Sequence, residues 1–473
     1  MIARLASAAL CATCLAMPAH AANWLTFGGT PNRLGVQTET ALTGATVAGL
    51  TRQWQLPLNG TSTVQPLYVE GAVAGHNEVF QVTMTGRVVA VNAATGALDW
   101  STQLPLTQAA GCVPAGVGAQ GTPTIDPVAA VLYELDATGA LHGLNLADGT
   151  EAPGYPAQVV APADVAAGSF NHSSPTQAGS SLYITTSGIA ACEGSKSPYH
   201  GSVIKFDTIG LDVVATWYSV PAPTGGGGIW GPGGAALDPD NGDLLVATGN
   251  ALGKPSYGHG GESVAELDPN LDLLAEQTPG KPVLTRGGDF DFGSTPVPID
   301  VPGCKPLLAV LNKTGNLYVY QRKKLKAGPL QVLNVSAGGG GQNSLIGMTA
   351  YDPATHMVFL HNPLASQDGS YTNGAIAFQA GCGGLSVAWQ TTYGMNEITG
   401  LNRATQPVVA GGLVWLSTGA GESVIALSET TGAPVWSTAS TDVDAPTVAP
   451  VAIADGQLFF QAGSTLIGYA VAQ

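Results

Sequence analysis

The chain has 473 residues, of which only 10% are charged, while 64 are glycine and 32 are proline. Acidic residues outnumber basic ones by 32 to 16, and the formal net charge of −16 argues against binding to the phosphate backbone of nucleic acids. Many turn residues and few charges predict short apolar strands joined by tight turns, rather than long helices.

Residues 1–21 differ in character from the rest of the chain. Arg4 supplies a positive start, residues 5–17 are apolar, and Ala19-His20-Ala21 fits a small-x-small cleavage site. The apolar stretch is too short to span a bilayer. We therefore predict a signal peptide, and Cys14 leaves a lipoprotein open as the alternative. Removal of residues 1–21 would change the formal net charge to −17, because this segment contains one arginine and no carboxylate.

A short phrase then recurs along the chain. Its clearest copies are Gly86–Trp100, Gly139–Gly149 and Gly421–Trp436, each reading as a strand followed by a tight turn. Weaker copies begin at Gly201, Gly261, Gly315, Gly374 and Gly463. Eight copies at spacings of 42 to 62 residues predict one repeat architecture over residues 22–473, because such a unit cannot bury its faces alone.

The repeat predicts an all-β fold, an eight-bladed β-propeller of four-stranded antiparallel blades. Residues 88–93 alternate as a strand, Gly96 suits the turn that follows, and Trp100 falls in the next strand. Strand-like material at 24–55 precedes the first copy, and the last unit at 456–469 is short. We therefore expect the N- and C-terminal strands to close the ring together. Tryptophans in comparable places are predicted to pack between blades; they are Trp100, Trp217, Trp389 and Trp436.

These phrases resemble the repeats of the quinoprotein alcohol dehydrogenase-like β-propeller superfamily over nearly the whole mature chain. That group contains alcohol and glucose dehydrogenases that use pyrroloquinoline quinone (PQQ). It also contains non-catalytic members, such as an outer-membrane assembly lipoprotein. The resemblance therefore implies the fold and leaves the activity to be argued from the site.

The first segment that resembles the family's site is Gly225–Gly234, with the strand ending Ala247-Thr-Gly-Asn250 after it. The resemblance implies that Trp230 floors the planar cofactor, that Gly228 lets the cofactor approach the backbone, and that Asn250 supplies a metal-ligating amide oxygen. Glycines allow close approach, and an amide oxygen is a hard ligand suited to Ca²⁺. The alternative is a glycine-rich turn beside a structural tryptophan.

The second segment, Gly288–Pro296, is similar to the family's Trp-Asp-x-Asp pattern before a proline. The resemblance implies a catalytic base near the metal. Asp289 and Asp291 are both candidates for this base, and both are also candidate metal ligands. If this stretch is a strand, alternation places the two carboxylates on one face. Gly288 stands where the pattern has tryptophan, and a surface turn with solvated acids is the alternative.

The third segment, Leu311–Arg322, looks like the family's Lys-x-Gly strand, in which a cation contacts the quinone oxygens. Lys313 would then favour the reduced, more anionic cofactor by its charge. The alternative is a solvated turn lysine at the tip of a blade.

Two features depart from the family's pattern. Glu193 is the candidate for the metal-ligating glutamate, but about three extra residues separate it from the strand that follows His200. The adjacent cysteine pair of many dehydrogenases is missing, so Cys112 is the one cysteine assigned to the cofactor. Four cysteines follow the signal peptide and permit three pairings; a Cys112–Cys192 disulfide is one that we consider.

Taken together, the sequence predicts an exported bacterial protein, periplasmic or secreted, that binds PQQ with Ca²⁺ or a related cation. It would oxidise an alcohol or sugar and pass electrons to a separate acceptor such as a cytochrome c, because no Cys-x-x-Cys-His haem motif occurs. The protein is predicted not to span a membrane. The alternative is a non-catalytic scaffold whose rim binds envelope proteins or glycans.

Overall fold

In the computed structural model, the described part of the chain forms eight antiparallel sheets arranged in a ring. The residues described are 23–38, 41–108, 115–188, 198–253, 258–279, 290–337, 346–393, 403–418, 424–439, 442–443, 445, 447 and 449–471. Each sheet is one blade of four strands, and blade 3 carries a fifth short strand. The predicted eight-bladed β-propeller is therefore confirmed.

The blades are numbered in chain order and their strands from first to fourth. The strands are Leu67–Val73, His76–Val82, Arg87–Asn92 and Leu98–Gln103 in blade 1; Thr124–Asp126, Val131–Leu135, Ala140–Asn145 and Ala157–Gln158 in blade 2; Thr176–Ala178, Ser181–Gly188, Ser202–Asp207 and Asp212–Tyr218 in blade 3, with Ser169–Phe170 added; and Ala236–Leu237, Leu244–Ala247, Val264–Leu267 and Leu273–Gln277 in blade 4.

The second half of the ring follows the same plan. Its strands are Val297–Ile299, Leu307–Leu311, Asn316–Gln321 and Pro329–Asn334 in blade 5; Ala350–Asp352, Met357–Asn362, Gly374–Gly381 and Gly384–Thr391 in blade 6; Val408–Ala410, Leu413–Ser417, Val424–Ser428 and Pro434–Ser437 in blade 7; and Ala452–Ala454, Gln457–Ala462, Thr465–Val471 and the N-terminal Leu50–Pro57 in blade 8.

A few elements lie outside the blades. Ile346–Gly347 pairs in parallel with Arg403–Ala404. Pro162–Ala167 is an α-helix, and Val47–Gly49 and Arg322–Ala327 are 3₁₀ turns. None of the helices among the described residues has the length and apolar character needed to cross a membrane.

Blade 8 combines one strand from the N-terminal part of the chain with the three C-terminal strands. Leu50–Pro57 pairs antiparallel with Thr465–Val471, so the predicted closure of the ring is confirmed. The expectation that all of residues 24–55 belong to this blade is wrong, because residues 23–38 run elsewhere. Gly28, Gly29 and Arg33 all have positive φ, and a chain that turns so often cannot form a regular strand.

Residues 23–38 form a strap across one end of the ring. Leu25 accepts a hydrogen bond from Ile125 of blade 2, and Leu34 accepts one from Tyr351 of blade 6. The strap also bonds to Val409 of blade 7 and to Leu237 of blade 4. Because blades 2 and 6 lie opposite each other in an eight-membered ring, the strap crosses the axis.

Trp100 and Trp389, in the fourth strands of blades 1 and 6, dock on turns of the next blade, which confirms the predicted packing for these two. The Trp100 indole N–H donates to the Leu146 carbonyl at 2.8 Å, and its ring lies against Gly149 of blade 2. Trp389 makes the same contacts with Glu429 and Gly432 of blade 7. The absent glycine side chain leaves room for the indole, and the indole N–H satisfies a turn carbonyl.

This docking gives a first prediction. Gly149 has a φ of +69°, and a Cβ there would lie 2.4 Å from the Trp100 ring. We expect Gly149→Ala to cost about 3 kcal/mol, because steric overlap adds to the backbone strain. Gly179 has a φ of +60° with open space around it, so Gly179→Ala should cost only about 1 kcal/mol. Urea unfolding of both variants tests this, and equal losses would contradict it.

A disulfide joins Cys304, in the turn after the first strand of blade 5, to Cys382, in the outer hairpin of blade 6. Their Cα atoms are 4.8 Å apart, within the range that a disulfide requires. Cys112 and Cys192 lie outside the described residues. The sequence left three pairings open, and the structure identifies one of the bonds.

The interface of blades 6 and 7 contains a buried acidic pair, Asp352 and Glu429. Thr355 donates to Glu429 at 2.7 Å, yet burial, with Asp352 adding to it, raises the pKa of Glu429 to about 7. The folded state thus binds a proton that the unfolded chain releases above its ordinary pKa of 4.5. The free energy of unfolding should therefore fall as pH rises from about 4.5 to about 7.

Glu429→Gln should remove that dependence, which is worth at most about 3 kcal/mol. We expect the variant to gain stability over the parent at pH 8 and to lose this gain near pH 4.5. Urea unfolding across this range measures it, with the exposed Glu70→Gln as the control. Parallel curves for Glu429→Gln and the parent would contradict the prediction.

Candidate functional site

A cavity of about 370 Å³ lies inside the ring. The strap contributes Phe27 to its wall, and the loop before blade 4 contributes Trp230. Many of its other lining residues directly precede the first strands of blades, so the first strands face the axis. The lining is apolar with interspersed hydroxyl, amide and imidazole groups, from Thr61, Ser62, Thr63, Thr122, Thr405, Gln120, Gln406 and His172. Such a surface suits a small ligand with several hydrogen-bond acceptors.

The glycine-rich loop before blade 4 positions Trp230. Gly227 donates to the Asn250 carbonyl at 2.8 Å, and Gly228 accepts from Gly249 at 2.8 Å. A Cβ on Gly228 would lie 2.4 Å from the Ser187 hydroxyl, so only glycine lets the loop reach blade 3. The loop is therefore fixed on both sides, and Trp230 follows it half-buried at the cavity wall.

Asp291 lies in the segment that leads into blade 5, and it is 6% exposed. Its Oδ1 accepts a hydrogen bond from the Asn250 backbone N–H at 2.6 Å. A Cβ on Gly249 would come within 3.0 Å of its carboxylate, so the glycine makes room for this contact. The Asn250 side chain is half-buried in the same place. The Thr-Gly-Asn motif therefore supports Asp291 through its backbone.

Lys313 lies in the turn between the second and third strands of blade 5 and is 8% exposed. Its Nζ is 3.1 Å from Asp291 Oδ2 and 4.6 Å from the centre of the Trp230 ring. The turn is docked on the preceding segment, because Lys313 N–H donates to the Asp291 carbonyl and Asn312 donates to the Phe290 carbonyl. Lys313 is thus a buried ammonium held between a carboxylate and an aromatic face, and not a solvated lysine at a blade tip.

The structure brings four of the predicted residues together: Trp230, Asn250, Asp291 and Lys313. Gly228 supports the loop that carries Trp230. Asp289, Glu193 and Cys112 lie outside the described residues. The segment at Asp291 is not a strand, so the condition for the alternation argument is not met. The chain turns irregularly there, so that the Asp291 carboxylate reaches Asn250 and its carbonyl reaches Lys313.

Sequence reasoning missed several residues of this region. Gly293 touches the Trp230 ring so closely that a Cβ there would lie 2.5 Å from it. The hydroxyl side chains that line the cavity, and Gln406, come from loops before different blades and form no motif along the chain. The one signal that could have identified these cavity-lining residues is their position just before the first strand of a blade.

Solved structures similar to this chain include alcohol and methanol dehydrogenases and also BamB, which confirms the resemblance at the level of the fold. The quinohemoprotein alcohol dehydrogenase from Pseudomonas putida HK5 matches with a TM-score of 0.69 at 16% identity, over 95% of this chain and 80% of that one. A europium-containing methanol dehydrogenase matches with a TM-score of 0.68 at 13% identity, over 95% and 98%. BamB from Moraxella catarrhalis matches with a TM-score of 0.51 at 14% identity, over 89% and 97%.

No family model matches the chain, and no curated protein matches its sequence. The likeness at such low identity concerns the fold.

Proposed function

We propose that this protein is an exported oxidoreductase that binds PQQ with Ca²⁺ or a related divalent cation and oxidises an alcohol or a sugar. The observation that carries the proposal is the meeting of Trp230, Lys313, Asp291 and Asn250 beside the central cavity. A separate acceptor, such as a cytochrome c, would take the electrons. The structural neighbours that are alcohol and methanol dehydrogenases support this reaction class.

The residues present fit a planar, polyanionic quinone. The half-buried Trp230 ring offers an aromatic surface at the cavity wall, and the Lys313 ammonium lies 4.6 Å from the centre of that ring. A ligand that stacks on the Trp230 ring would therefore lie close to the Lys313 ammonium. The hydroxyl groups of the cavity are suitable donors to carboxylates. The cofactor, when bound, would supply the acceptor for a hydride from the substrate.

The residues also fit a hard divalent cation. The side-chain oxygens of Asn250 and Asp291 belong to the ligand class that Ca²⁺ prefers, and the two residues are joined by the 2.6 Å hydrogen bond. Glu193 and Asp289 complete the proposed ligand set. Cys112 is proposed to contact the cofactor, as the resemblance implies.

Asp291 would act as the general base. The Lys313 ammonium and the Asn250 N–H both lie against its carboxylate and favour the ionised form that a base needs. Asp291 would take the proton of the substrate hydroxyl, while burial of the pair keeps bulk water from competing for it. Asp289 is the alternative base.

Quinone uptake tests the proposal. Purified protein is incubated with PQQ and Ca²⁺, and quinone absorbance is followed through gel filtration. We expect one equivalent to co-elute, and Trp230→Ala or Asn250→Ala to lower the affinity by about 10- to 100-fold. Trp436→Ala is the matched control, because Trp436 is half-buried on the outer strand of blade 7 against Trp415.

The second candidate function is a non-catalytic scaffold for envelope proteins or glycans. Asp291 and Lys313 already satisfy each other in the structure, and one structural neighbour is BamB. Absence of quinone uptake would overturn the proposed oxidoreductase and favour the scaffold.

A further inference from the structure

Glu78, in the second strand of blade 1, is a buried carboxyl group. The residue is completely buried, and neither of its carboxylate oxygens has a hydrogen-bond partner among the described residues. A carboxyl group without a partner is costly to bury, and a bound cation is one group that would offset this cost.

Two further metal-ligating side chains lie around Glu78. His76 and Glu78 are two residues apart in one strand and therefore point to the same face, and Asp99 lies in the fourth strand of the same blade. One ligand atom from each of the three lies within 4.8 Å of the others. Two ligands of one transition-metal ion are typically about 3.4 to 4.2 Å apart, so small side-chain rotations would bring these atoms onto a common ion.

We propose that His76, Glu78 and Asp99 bind a divalent metal ion of the first transition series or Zn²⁺, and we take Zn²⁺ as the representative ion. One imidazole and two carboxylates form a mixed nitrogen and oxygen set, which favours such ions over Ca²⁺ and Mg²⁺. His76 and Asp99 are exposed, so water completes the coordination.

The ion has a route to this place. His76, Asn77 and Asn92 line a surface groove together with Asp455 and Gln457 of blade 8. The ion would be reached from this groove at the outer side of blades 1 and 8. The proposed quinone site lies at the central cavity, and none of the residues that line that cavity also lines this groove. This inference does not rest on the proposed function.

The test uses the full-length protein after treatment with a chelator. Co²⁺ is the probe, because its visible absorption reports imidazole and carboxylate coordination, and Zn²⁺ is then titrated by calorimetry and by competition with Co²⁺. We expect one equivalent to bind in the absence of PQQ and to raise the thermal midpoint. Glu78→Gln and His76→Ala should each weaken binding by about 100-fold, since each removes one of three ligands.

Glu134→Gln is the matched control, because Glu134 is a completely buried glutamate in the second strand of blade 2 whose oxygens also have no partner among the described residues. It should leave metal binding unchanged. Should Glu78→Gln fail to fold, the exposed His76→Ala decides the test. Lack of stoichiometric binding, or the same affinity in His76→Ala as in the parent, would overturn the proposal.

Discussion

Replacing Asp291 by asparagine is expected to lower the kcat of the quinone-loaded protein by about 10²- to 10⁴-fold. The substitution keeps the size of the side chain and the oxygen that accepts from the Asn250 N–H, but removes the group that would take the substrate proton. It also places an amide beside the Lys313 ammonium, which loses its 3.1 Å ion pair. Quinone uptake should fall much less than kcat, because Trp230 and Asn250 remain.

The measurement is steady-state reduction of an artificial electron acceptor with a panel of alcohols and sugars, alongside quinone uptake. Asp148→Asn is the control for loss of one acidic group, since Asp148 is exposed on a turn of blade 2. Unchanged kcat in Asp291→Asn would contradict the assignment of Asp291 as the base. Asp289→Asn would then be the variant to measure.

The second large effect is expected for Arg33→Met in the strap. The Arg33 guanidinium is completely buried and donates to the carbonyls of Phe27, Ser174 and Pro175, at 3.0, 3.3 and 2.9 Å. It also donates to the hydroxyls of Thr26 and Thr176, both at 2.5 Å. One side chain therefore satisfies polar groups of the strap and of blade 3.

Methionine would fill similar space but leave these buried acceptors without a donor. Each unsatisfied group costs about 1 to 3 kcal/mol, so we expect a total loss of roughly 3 to 5 kcal/mol, allowing for relaxation and entering water. Urea unfolding measures it. Arg52→Met is the matched control, because the Arg52 side chain is one-third exposed and its ion pair with Asp442 is 3.7 Å long. A loss in Arg33→Met no larger than in the control would contradict this account.

The ring could be predicted from the sequence because its signals are local. Each repeated phrase holds a strand, a turn and the residues for docking within about fifteen positions, and Gly86–Trp100 contains all of them. The strap could not be predicted. Arg33 bonds to Ser174, Pro175 and Ala235, which lie 141 to 202 residues further along the chain. Neither the sequence around Arg33 nor the sequence around these partners forms a recognisable motif.

The site could be predicted in part for the same reason. Trp230, Asn250, Asp291 and Lys313 lie in short recognisable motifs, and the structure places them in contact or near it. The irregular path of the chain at Asp291 was not foreseen, because it is set by two turns of other strands that dock on it. The roles of these residues in catalysis remain our proposal.

A crystal structure of the protein grown with PQQ and Ca²⁺ tests the central claim most directly. The account predicts the quinone against the Trp230 ring, with Lys313 at its edge, and a cation bound by the side chains of Asn250 and Asp291. A structure from saturating PQQ and Ca²⁺ in which Lys313 still lies over a bare Trp230 ring, with no cation at Asn250, would contradict it.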